Sequence, residues 1–183
     1  MVSEKLLGIF NQKYYICIEN KCLNNIDMRE FEKQLAKMRR WCAMQERCLV
    51  EVRIHCNAIG ISAKNTDKII EQLSEEGFIE EERFAKLYAG GNFRNKKWGR
   101  ARIIGELQAR QIPDHIIKIG LSEIDEEEYR TNIVSMVEYK ITITDTSNKM
   151  LFKHRLSKSA INKGYEPELV HEIIDELMKK KGI

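Results

Sequence analysis

The 183-residue chain is short of punctuation, with two prolines, Pro113 and Pro167, and ten glycines. All-β chains turn often and use Pro and Gly heavily at their turns, so a sandwich of this length is excluded in favour of helices with short connections. Long apolar runs are missing too. The longest are a few residues, such as Tyr14 to Ile18, and none is long enough for a membrane-spanning helix. Met1 to Phe10 lacks a basic stretch followed by a long apolar one, so no signal peptide is expected and the cytoplasm is the expected compartment. Charge of one sign is not in excess. Lys and Arg number 31 against 28 Asp and Glu, a formal +3, which excludes both a polyanion and a histone-like polycation.

Chemistry-bearing motifs are also sparse. The five cysteines, Cys17, Cys22, Cys42, Cys48 and Cys56, are odd in number, and no pair has zinc-knuckle or redox spacing. They read as small buried hydrophobes in a reducing compartment. There is no Gly-rich phosphate loop ending in Lys-Ser/Thr and no serine in a G-x-S-x-G setting. His55, His115, His154 and His171 are scattered. No catalytic residue, metal ligand or cofactor is expected, and the chain reads as a non-enzyme.

What is present is helical periodicity. Residues 1–27 stand apart: Ile9 to Ile18 reads IFNQKYYICI, which suits a short hairpin, a strand, or an extension ordered only by packing. From Met28 apolar residues recur every three or four positions. Met28, Phe31, Leu35, Met38 and Cys42 make one stripe. Cys48, Leu49, Val52, Cys56 and Ile59 make a second, ended by Gly60, and Thr66, Ile69, Ile70 and Leu73 a third, ended by Gly77. The pattern then recurs. Phe84, Leu87 and Tyr88 stripe a helix expected to be interrupted at Gly90-Gly91. Ile103, Ile104 and Leu107 stripe the next, and Pro113 opens a short third. The acidic run EIDEEE, residues 123–128, suits the N-terminus of a further helix, where the dipole favours acids. Two more helices follow, ended by Gly164 and begun at Pro167.

The triplets superpose. An offset of 53 lays Ile103 on Leu156, Leu107 on Ala160 and Ile112 on Tyr165. An offset of 51 lays Val52 on Ile103, Cys56 on Leu107 and Ile61 on Ile112. The expected architecture is all-α: three tandem three-helix repeats, 28–77, 78–122 and 123–183, after an N-terminal extension, stacked into an elongated, curved modular rod. The alternative is one irregular helical domain whose stripes align by chance.

Net charge hides two patches. Residues 93–111 hold Arg94, Lys96, Lys97, Arg100, Arg102 and Arg110 against Glu106, and residues 146–165 hold Lys149, Lys153, Arg155, Lys158 and Lys163 against no acid. Each nets +5. Both are expected on the middle helix of a repeat. At ~100° per residue Arg155, Lys158 and Asn162 share the face opposite Phe152, Leu156 and Ala160. Arg102 and Trp98 lie opposite Ile103 and Leu107, whereas Arg100 falls nearer the apolar side, where a structural ion pair is an alternative. Basic helices beside an aromatic suit a polyanion or an acidic protein groove. The bland alternative is a solvated face.

One block is more specific. EEGFIEEERFAKLY, residues 75–88, is followed by FRNKKWGRARIIGELQARQI, residues 93–112. This resembles the RecX family, regulators of the bacterial recombinase RecA, whose members show a similar (E)xGFIDDxRFAxxY and then (K/R)xGxxRIxxEL…(K/R)GI. Phe78, Ile79, Arg83, Phe84, Ala85, Tyr88, Gly99, Arg102, Ile103, Glu106, Leu107 and Ile112 match. Glu81 stands where Asp is common, and Gln111 replaces the usual Gly before Ile112. The resemblance implies tandem three-helix modules and binding to the RecA–DNA filament, limiting its growth or promoting its disassembly; a monomer without a cofactor is expected. Some members also bind DNA, single- or double-stranded, directly. The residues expected to carry such contacts are Arg94, Lys96, Lys97, Trp98, Arg100, Arg102, Lys149, Lys153, Arg155 and Lys158. The rival readings are a DNA-binding helical scaffold that never contacts the recombinase and a helical-repeat adaptor for another acidic protein.

Overall fold

Each apolar stripe becomes a helix in the computed structural model, which describes residues 27–143 and 149–182. The expected N-terminal strand or hairpin lies outside those residues. All regular structure among the described residues is helical: α1 (27–44), α2 (Leu49–Ala58), α3 (Ala63–Glu75), α4 (Glu81–Lys96), α5 (Arg100–Ala109), α6 (Asp114–Leu121), α7 (Glu126–Ile143), α8 (Lys149–Ile161) and α9 (Pro167–Lys181). They form two compact units. The first holds α1, α2 from Val52 onward and α3; the second holds Glu46–Glu51 and everything from Ile79.

The first unit buries Leu35, Met38, Cys42, Val52, Cys56, Ile61, Ile69 and Leu73. Met28 was expected in this stripe but is exposed, since it sits in the first turn of α1 beyond the reach of that core. Ser62 caps α3 by accepting from the Asn65 N–H at 3.3 Å. Arg39 is paired with Glu76, and the guanidinium holds that carboxyl below its ordinary range. Burial pushes the Cys48 and Cys56 thiols up, so they stay neutral and behave as apolar core, as their spacing suggested.

The second unit has an aromatic centre. The Phe93 and Tyr129 rings lie 5.9 Å apart and those of Tyr129 and Tyr165 4.9 Å apart, within the range of favourable aromatic pairs. Its α4 corrects the sequence reading twice. The helix runs through Gly90-Gly91 without a break and buries Ala85, Ala89, Gly90, Asn92 and Phe93, leaving Leu87 54% exposed. Two helical glycines cost about 1 kcal/mol each relative to Ala. Packing offsets that: α4 lies against α6 so closely that a Cβ on Gly120 would sit 2.8 Å from the Ala85 carbonyl oxygen. Asp125 caps α7 by accepting from the Glu128 N–H at 2.8 Å, and Glu126, Glu127 and Glu128 fill its first turn, as the acidic run indicated.

The repeat shows in the backbone. The middle helix of each triplet ends at a left-handed residue: Gly60 (φ 79°), Gln111 (φ 59°) and Gly164 (φ 91°). Each is followed by a buried residue, Ile61, Ile112 or Tyr165. The N–H of that residue donates to the carbonyl five positions back, on Cys56 (2.9 Å), Leu107 (3.1 Å) and Ala160 (3.2 Å). The left-handed residue's own N–H donates three back, to Asn57, Gln108 and Ile161. These are three Schellman endings at the offsets of 51 and 53. The family-type departure at Gln111 therefore occupies a position whose backbone favours glycine.

Candidate partner-binding surface

In the second unit the N-terminus of α5 abuts the C-terminus of α8. The Gly99 N–H donates to the Lys163 carbonyl at 2.8 Å and the Ala101 N–H to the Gly164 carbonyl at 3.0 Å. The Arg100 N–H donates to the Tyr129 hydroxyl at 3.1 Å, and that hydroxyl donates onward to Glu166 at 2.6 Å. Three N–H groups that a helix start leaves unpaired are thus satisfied by another helix's end and a buried phenol. The approach needs two glycines. A Cβ on Gly99 would lie 2.1 Å from the Gly164 carbonyl, and one on Gly164 would lie 2.4 Å from the Arg102 Cβ.

This docking gathers cations around Trp98. The Lys96 ammonium lies 4.6 Å from the ring centroid and the Arg102 guanidinium 4.2 Å, both at cation–π distance. Lys163 joins them by donating to the Lys96 carbonyl at 3.1 Å. Lys163 was counted in the charge patch but not among the expected site residues. Its role comes from the α5–α8 contact, which no spacing within either segment reveals. The first patch also divides differently from expectation. Arg94 and Lys96 occupy the last turn of α4 and Lys97 is its left-handed cap (φ 53°), so only Arg100, Arg102 and Arg110 lie in or beside α5. The cause is the uninterrupted α4.

The ten expected residues sort by their partners. Arg100 makes the structural pair that its position allowed: it bonds Glu126 at 2.5 Å, approaches Glu166 at 3.9 Å and lies over the Tyr129 ring at 4.1 Å. Lys153 is paired with Asp175. Arg94 and Lys96 sit at a helix C-terminus, where the dipole favours cations by about 0.3–1 kcal/mol. Arg94 also folds over Gly90, with its guanidinium 2.6 Å from where a Cβ would be. Arg102 is held locally by the Trp98 ring and lies near enough to Glu106 to help lower that carboxyl. It is exposed in the first turn of α5, the positive end, with no carboxylate at ion-pair distance among the described residues. Arg155 and Lys158 project from α8, exposed and without acid partners among the described residues, opposite buried Phe152, Leu156 and Ala160. Lys149 opens α8. Arg110, outside that set, is taken up by Glu106 at 2.9 Å and Glu51 at 3.5 Å, and it holds the Glu106 carboxyl below its ordinary range. Arg83 is likewise structural, bonded to Glu46 at 2.9 Å and Glu80 at 2.7 Å.

Among the described residues no group of three His, Cys, Asp or Glu could hold a metal ion, and no helix is long and apolar enough to cross a membrane.

Comparison with known proteins bears on the fold that carries this surface. A family model described as RecX, second three-helix domain, matches residues 81–121, which span α4 to α6. The chain is 28% identical over 159 residues to Regulatory protein RecX of Lactobacillus johnsonii, covering 78% of this chain and 57% of that one. It is 28% identical over 125 residues to Regulatory protein RecX of Clostridium tetani, covering 67% and 57%. The chain thus spans little more than half the length of these two relatives. The crystal structure of RecX from Lactobacillus salivarius shares the fold, with a TM-score of 0.74 at 19% identity over 82% of this chain and 97% of that one.

Proposed function

We propose that the chain is a RecX-type regulator and that it restrains the RecA recombinase by binding the RecA–DNA filament. Binding runs through the cations around Trp98 and the exposed face of α8, without catalysis and as a monomer. The repeats 28–77, 78–122 and 123–183 serve as its modules. The observation that carries this reading is Arg102. It is an exposed cation at the positive end of a helix, stacked on a tryptophan and with no carboxylate at ion-pair distance among the described residues, so its guanidinium edge is open to a partner. Together with Lys96, Lys163, Arg155 and Lys158 it forms a positive surface suited to phosphate or to acidic protein.

RecA-catalysed, DNA-dependent ATP hydrolysis measured with increasing amounts of this protein tests the proposal. Falling hydrolysis is expected, and no effect at saturating protein sinks it. The second reading, a DNA scaffold indifferent to the recombinase, is favoured only by the cation–aromatic chemistry at Trp98, which also suits bare nucleic acid. It requires binding to bare DNA as tight as binding to filaments, with a steep salt dependence.

A further inference from the structure

The first unit carries a second basic surface that the filament reading leaves unused. On α1, Lys33, Lys37 and Arg40 stand at i, i+4 and i+7, on one face, and all three are exposed. At 1.5 Å per residue they rise about 6 Å and then about 4.5 Å along the axis. The face buried in the core is a different one, that of Leu35, Met38 and Cys42. None of the three cations has a carboxylate at ion-pair distance among the described residues; in this unit Glu76 goes to Arg39 and Asp67 to Arg53.

The same cations line an open groove of about 560 Å³ whose lining is mostly apolar. Trp41 and His55 face each other there in a near-parallel stack, centroids 4.1 Å apart and planes 8° apart. Ala36 and Met44 continue the floor, and Met44 is 76% exposed. A planar group with negative charge on either side uses both the aromatic floor and the row of cations.

We infer that this groove binds a segment of single-stranded nucleic acid, a base extending the Trp41–His55 stack and the adjoining phosphates meeting Lys33, Lys37 and Arg40. A duplex is the poorer fit, because its bases are stacked on one another and offer only their edges, whereas a single strand can present a face. The inference stands on the first unit alone and does not depend on the recombinase.

The test is anisotropy of a labelled oligothymidylate titrated with the full chain across a salt series. The variant Lys33→Gln/Lys37→Gln/Arg40→Gln should bind at least about tenfold more weakly. It should also flatten the slope of log affinity against log salt by about 2, since each neutralised phosphate on a single strand contributes about 0.7. Its substitutions are on exposed positions, and helical circular dichroism checks that the fold is kept. Lys37→Gln alone should flatten the slope by about 0.7, and His55→Ala should weaken binding at low salt without changing the slope. Unchanged affinity and slope in the triple variant overturn the inference. So does equal competition by duplex DNA or by polyglutamate, the latter marking the groove as a site for acidic protein.

Discussion

The two units bury different chemistry. The first packs aliphatic and sulfur side chains, Leu35, Met38, Val52, Cys56, Ile69 and Leu73, with the Thr66 hydroxyl buried among them and bonded to the Cys56 thiol. The second packs Phe93, Tyr129 and Tyr165, and Tyr129 relays a hydrogen bond from the start of α5 to Glu166 ahead of α9. A core of the first kind tolerates changes of shape that keep volume. A core of the second kind fixes geometry, because each buried polar group must keep its partner. The cation cluster around Trp98 sits where that fixed geometry joins α5 to α8.

The sharpest way to break this contrast is Gly99→Ala. The added methyl has no room against the Gly164 carbonyl, so the second unit should lose about 3 kcal/mol, while hydrogen-exchange protection of α1 and α3 is kept. Equal loss of protection in both units would refute the contrast. Tyr129→Phe should cost about 2 kcal/mol by chemical denaturation, because the Arg100 N–H and the Glu166 carboxylate each lose a buried partner.

Alkaline pH separates the units with no mutation. Burial pushes the Tyr129 phenol above its ordinary range and the Tyr165 phenol up to about 12. The neutral form is favoured in the folded state, so the contribution is complete below an unfolded phenol's pKa of about 10 and is lost as pH rises toward 12 and beyond. The second unit should therefore weaken from about pH 10 upward. The described residues of the first unit contain no tyrosine, and near-ultraviolet circular dichroism with exchange protection would show whether it is spared. The smallest effect, with the opposite sign, is expected of Gln111→Gly, which should stabilise by about 1 kcal/mol in thermal melts because Gln111 holds φ 59°.

The sequence reveals what is periodic and local. The stripes locate the helices, and the offsets of 51 and 53 place Gly60, Gln111 and Gly164 at equivalent turns, all left-handed in the structure. Arg155, Lys158 and Asn162 fall on the outward face that a 100° step assigns them. What is not legible is contact between distant segments. Gly90-Gly91 reads as a break because helix propensity is local, whereas the close packing of α4 on α6 is tertiary. Lys153 reads as free because Asp175, its partner, is on another helix. Lys163 reads as one more charge in a patch until Gly99 and Gly164 bring it to Lys96.

In the proposed function the cations of the second unit that lack carboxylate partners hold the RecA filament. This is tested most directly by co-sedimentation with preformed RecA–single-stranded-DNA filaments, beside bare oligothymidylate, for the chain and for Arg102→Glu/Arg155→Glu/Lys158→Glu. These exposed positions should cost the fold under about 0.5 kcal/mol each. The variant's retention on filaments should fall at least about tenfold while its binding to the bare strand, held by the groove inferred in the first unit, is unchanged. Retention on filaments equal to that of the unaltered chain would contradict the proposal.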